Sequence, residues 1–189
     1  MIHIIGMDRY YQVSTDAKRQ GAANQDITRF QRYLGAAVKR LGAKMIAEQA
    51  SGEWVEGHGP GAKSVAQRVA VLNNIRHRYC DPDTGERRAL GLKAEGELWD
   101  IANGIAMKTH RNIVEVWREE VRNNFHAWEA IWVDRLKVRG LDKMAVIFVC
   151  GADHADTLKA VLQTNGIEAL IHCRDWPDDK SGEPDSEAS

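Results

Sequence analysis

The sequence predicts an α/β domain: a mostly parallel sheet of about five strands, with helices on both faces and a long helical insertion before the fourth strand. Residues Ala145–Cys150 form an uncharged, largely β-branched run, which suits a strand buried on both faces. Similar short runs alternate with helical periodicities, the order that builds a parallel sheet. The interval 94–138 interrupts that alternation with helical spacing throughout. A single domain over 1–174 fits a chain of 189 residues.

Ile2–Met7 reads as the first strand, ending near Gly6, with Asp8 and Arg9 just beyond. Asn24 offers an N-cap, and Ile27, Phe30, Leu34, Val38 and Leu41 mark one helical face. Lys44–Ala47 is a second short strand leading to Glu48. Residues 50–61 carry four glycines and read as a loop, long enough to be a lid or binding loop. A helix with Val65, Val69 and Leu72 in phase follows. Ile75–Cys80 is a third strand, weakened by Arg76, His77 and Arg78, and Asp81-Pro82-Asp83 turns the chain.

Leu98, Ile101, Ala102 and Ile105 fit one helix of the insertion. Ile113, Trp117, Val121, Phe125, Trp128, Trp132 and Leu136 fit a longer one. Its stripe of Trp117, Trp128 and Trp132 is a large apolar surface that either packs in the core or joins copies into a homo-oligomer. The fourth strand, a helix over 154–165 and a last strand over Ile167–Cys173 complete the domain. Residues 175–189 hold six acids against one lysine and almost no apolar side chain, so they predict a disordered acidic tail.

Basic and acidic residues nearly balance, 26 against 27, which argues against nucleic acid or an anionic membrane as partner. No apolar run approaches a membrane span, and no export signal opens the sequence. Three cysteines without close spacing suit neither a disulfide framework nor a zinc ribbon. A reducing, cytoplasmic setting is the expectation.

The carboxyl ends of parallel strands bring Asp8, Arg9, Glu48, Asp81, Asp153 and His154 to one edge, where open α/β sheets bind ligands. Carboxylates with an imidazole suit proton transfer or a divalent metal. Glu48 and His154 are the expected catalytic pair, sharing one pocket, and with Asp8 they are the metal candidates. Arg9, Asp8, His58, Asp81 and Asp153 are the expected contacts to substrate or anion. Asp153 equally suits a helix cap. Gly57–Ser64, GHGPGAKS, falls short of a phosphate loop. Ala62 replaces its second glycine, and the preceding strand ends too early.

GMDRYYQ, IAEQAS, YCDPDTGERRALGL and VIFVCGADHADTLKAVLQTNGIEA together resemble a group of small bacterial proteins. These are similar in turn to the Tiki/TraB/erythromycin-esterase-like/ChaN-like superfamily of hydrolases and binding proteins, some of them metal-dependent. The resemblance implies site roles for Glu48 and His154. Two departures matter. Arg9 stands where that superfamily carries a histidine after its first strand, and a cation there disfavours a divalent metal. The Arg-Glu pair of the long helix becomes Trp128-Glu129.

Three functions follow as expectations. The first is a hydrolase-like domain acting on a small molecule or peptide, either metal-assisted or degenerate. The second is a non-catalytic protein that binds or oligomerises on the same fold. The third is a magnesium-dependent phosphoryl-transfer enzyme using Asp8, Glu48, Asp81 and Asp83.

Overall fold

A computed structural model describes residues 1–8, 11–13, 22–93, 95–137, 140 and 143–177. Arg9 and the tail from 178 lie outside the described residues. Five strands form one sheet: β1 (Ile2–Met7), β2 (Met45–Glu48), β3 (Arg76–Tyr79), β4 (Val146–Gly151) and β5 (Ala169–Trp176). Their spatial order is β3-β2-β4-β1-β5, and every pairing is parallel. The helices are α1 (Ala22–Leu41), α2 (Gly52–Glu56), α3 (Val65–Leu72), α4 (Thr84–Ala89), α5 (Glu95–Thr109), α6 (Ile113–Lys137) and α7 (Ala155–Thr164).

Strand alternation sorts the apolar side chains into two layers. Ile5, Met7, Ile46, Ile147 and Val149 pack with α1 and α3 on one face. Ile2, Ile4, Met45, Ala47, Val146, Phe148 and Cys150 pack with α6 and α7 on the other. β4 lies at the centre of the sheet, and its residues Val146–Cys150 are fully buried. That double burial is why the run needed no polar alternation.

Several boundaries differ from the sequence expectation. α1 starts at Ala22, so Asn24 lies inside it rather than capping it. The glycine-rich loop contains α2, capped by Ser51, which accepts a hydrogen bond from the Trp54 amide. α4 follows a capping box: the Asp83 carboxylate takes the Glu86 amide, and Glu86 takes the Asp83 amide. β5 runs to Trp176, beyond Cys173 and into the segment read as tail. Trp176 is core, its ring packed among Tyr11, Phe30 and Tyr33.

The tryptophan stripe does not act as one surface. Trp132 is fully buried, and its indole N–H donates to Asp81 at 2.8 Å. Trp128 is partly buried against the sheet core. Trp117 belongs to a separate small cluster that joins α5 to α6 around Ala102, Ala106 and Val116. An oligomer contact through Trp132 is therefore corrected to core packing, because no surface is left to offer.

On the α1 face, His3 of β1 and His172 of β5 share a hydrogen bond, Nδ1 to Nε2, at 2.9 Å. Burial first, then the neighbouring charges, holds both below the usual histidine range. The unfolded chain therefore binds more protons just below pH 6.5 than the folded one. This contribution is complete above that pH and is lost as pH falls through the depressed folded values. Thermal unfolding at pH 7.5 and 5.5 should show a smaller acid loss for His172→Gln than for the wild type. Equal losses would remove the pair as a source of the pH dependence.

Among the described residues, no helix is long and apolar enough to cross a membrane.

Candidate functional site

The carboxyl edge of the sheet receives Asp8, Glu48, Asp81 and the Gly151–His154 segment. Glu48 and His154 do not meet there. Each is hydrogen-bonded to other side chains, and the sheet separates them.

Glu48 shares the face of Ile46, towards α3. It is fully buried. Its Oε1 accepts from the Ser64 hydroxyl and lies 2.6 Å from His77 Nε2. A carboxylate only accepts, so that ring nitrogen carries the proton. Ser64 is fixed because it also caps α3, accepting from the Gln67 amide at 2.9 Å. Tyr79 lies two residues beyond His77 on the same side of β3, with its ring edge-on to the imidazole. Burial, and then the charge of Glu48, raise the Tyr79 hydroxyl above its ordinary value.

His154 ends a short 3-10 turn, Ala152–His154, that leaves β4. It faces α6. Its Nδ1 lies 2.8 Å from Oε1 of Glu129, which also accepts from Thr157 Oγ1 at 2.5 Å. Glu129 is fully buried, and His154 nearly so. Phe125 lies against the imidazole at 4.1 Å between ring centres, and Trp132 meets it edge-on at 4.9 Å. Phe125, Glu129 and Trp132 stand at i, i+4 and i+7 of α6, on one helix face. His126 Nδ1 stands 3.6 Å from Glu129 Oε2 on the solvent side.

This second pair has a defined proton geometry. The Glu129 carboxylate fixes the proton on Nδ1 and leaves the lone pair on Nε2. Among the described residues Nε2 has no hydrogen-bond partner, and His154 is 5% exposed. An imidazole held in this tautomer can accept a proton at Nε2, and the buried carboxylate stabilises the imidazolium that results.

The remaining predicted residues take separate positions. Asp81 is buried and accepts the Trp132 indole N–H, while its carbonyl accepts from Arg135. Asp8 and Asp153 are exposed. His58 is exposed too, with Nδ1 2.8 Å from the Trp54 carbonyl. Asp83 is committed to its capping box. The described residues contain no group of three or more His, Cys, Asp or Glu able to hold a metal ion. The proposed metal set of Glu48, His154 and Asp8 is thus not assembled. Cys80 is fully buried, and burial pushes its thiol up to about 12.

Sequence reasoning missed Glu129, His77 and Ser64. Glu129 did carry a signal. It interrupts the apolar stripe of α6 between Phe125 and Trp132, and a carboxylate on a buried stripe requires a partner. His77 was read with its basic neighbours, yet strand alternation turns it away from Arg76 and Arg78.

The chain matches no family model, no curated protein and no solved structure.

Proposed function

We propose that this chain is a hydrolase-like enzyme in which His154, oriented by Glu129, accepts and returns the proton of the reaction. One observation carries the reading: a buried carboxylate holds Nδ1 of an imidazole at the carboxyl edge, with Nε2 without a hydrogen-bond partner among the described residues. The resemblance to a hydrolase-containing superfamily supports the reaction class. In this reading Nε2 takes a proton from water as the water oxygen bonds to the substrate carbon or phosphorus and the bond from that atom to the leaving group breaks. It returns that proton to the leaving group. The substrate is a small molecule or peptide. Glu48, sealed behind Ser64 and His77, holds the end of β2 in place. The three cysteines, free and buried, suit a reducing cytoplasm.

The test is a panel of carboxylic ester, amide and phosphate ester substrates, run with wild type, His154→Gln and Glu129→Gln. Both variants should keep the wild-type thermal midpoint to within a few degrees. His154→Gln should lose about 10²–10⁴-fold in kcat, the usual worth of a positioned base. Glu129→Gln should lose a similar factor, because a carboxamide no longer fixes the tautomer. Absence of turnover on the whole panel, or turnover unchanged in folded His154→Gln, would overturn the proposal.

A further inference from the structure

We infer that the amino edge of the sheet carries a second binding site, a cavity that takes the phosphate group of a small phosphate monoester between Lys44 and Arg76. It lies at the opposite end of the strands from His154 and does not rest on the reaction proposed above.

The cavity measures about 590 Å³ and is lined by Lys44, Asn73, Asn74, Ile75, Arg76 and Met144. Small-molecule sites span about 300–1,000 Å³. Its residues belong to the entries of β2, β3 and β4 and to the end of α3. Ile75 packs against the layer that holds α1 and α3, and Met144 against the layer that holds α6 and α7. The cavity therefore opens where the two layers meet, and these two side chains form its apolar part. The main chain here is fixed. The Lys44 amide donates to the Ala145 carbonyl at 2.9 Å, and the Arg76 amide donates to the Lys44 carbonyl at 3.2 Å.

The charge of the lining selects an anion. It holds two cations and no acid. Neither Lys44 nor Arg76 makes an ion pair among the described residues. Two cations beside one cavity repel each other until an anion lies between them. The end of α3 does not supply that negative charge. Asn74 takes the left-handed conformation there, with φ 52°, and the amides of Asn74 and Ile75 close onto the carbonyls of Val71 and Ala70. The Val69 carbonyl accepts from the Asn73 amide and from its side chain at 2.8 Å. The carbonyls of Val69, Ala70 and Val71 are thus already satisfied.

The donor set favours phosphate among anions. A guanidinium fork matches two phosphate oxygens at once, and an ammonium adds a compact charge. The side-chain amide of Asn74 is a further donor on the lining. Ile75 and Met144 give the organic part of the ester a surface to lie on. A site at this edge leaves the reaction site free, because β4 separates them: Met144 precedes that strand and His154 follows it.

Titration calorimetry of the full chain with benzylphosphonate at pH 8 tests the proposal. This probe carries the dianion and an apolar group but no ester bond to hydrolyse. It should bind saturably at one site per chain, whereas benzyl alcohol should not bind. Lys44→Gln and Arg76→Gln should each weaken binding about tenfold or more. Arg76→Lys should also weaken it, because the fork is lost while the charge remains. All three variants should keep the wild-type thermal midpoint, since both side chains are exposed. His154→Gln should bind the probe as the wild type does. Failure of the probe to saturate at millimolar concentration, or binding unchanged in both Gln variants, would overturn the site. Binding lost in folded His154→Gln would also overturn it, by moving the anion to the carboxyl edge.

Discussion

Gly6→Val should lose about 3 kcal/mol or more of stability, among the largest effects of any single substitution in this chain. The reason is backbone, not side chain. A Cβ at Gly6 would stand 2.0 Å from the Arg174 carbonyl oxygen and 2.8 Å from its carbon. The Cα of Ala152 is 3.3 Å away on the other side. Position 6 is therefore enclosed between β5 and the turn that follows β4. The β1–β5 ladder shifts register between Ile4 and Ile5 and again between Ile5 and Met7, the second shift spanning this position. That irregularity brings the Arg174 carbonyl over Gly6. A larger residue must push apart strands that are paired through main-chain bonds. Even Gly6→Ala carries the offending atom, so it should fall in the same range. Urea unfolding followed by tryptophan fluorescence measures the loss. A Gly6→Ala midpoint close to the wild type's would mean that β5 can move away at little cost.

Trp132→Ala should cost about 3–5 kcal/mol, the range for truncating a buried aromatic side chain. Trp132 is fully enclosed, tilted against Phe148 of the central strand and edge-on to His154. Its removal opens a cavity between α6 and the sheet and takes the indole donor from Asp81. It also leaves the His154 ring without one wall. Trp99→Ala is the contrasting case. With 45% of Trp99 exposed, truncation should cost less than about 1 kcal/mol. Denaturant unfolding of the two variants in parallel separates a core tryptophan from a surface one. Comparable losses would contradict the burial assigned here.

These two tryptophans also mark where sequence reading works and where it stops. The sheet was legible because β4 is buried on both faces and leaves an unbroken apolar run. The helices were legible where one face is apolar, as in α1. Capping chemistry was there to be read at Asp83 and Glu86, a D-x-x-E pattern that an emphasis on the preceding turn obscured. What periodicity could not do was divide the α6 stripe between the sheet and α5. Spacing fixes which side of a helix is apolar, not what lies against it at each turn. The same limit applies to the site. Topology placed Glu48 and His154 at one edge, but facing is decided by strand parity and loop path. Parity turns Glu48 towards α3, and the turn after Gly151 aims His154 at α6.

The strand order has a consequence for assembly in time. β1 and β2 are consecutive in the chain yet never touch in the sheet, because β4 lies between them. β1 pairs only with β4 and β5, so Ile2 waits for Val146 and Ala169 before its main chain finds any ladder partner. β2 can pair early with β3, but the two form an edge without a centre. During synthesis the first strand therefore emerges long before either neighbour, as an apolar segment without a ladder. Closing that long loop carries an entropy cost, and the β3-β2 and β1-β5 parts of the sheet are joined through β4.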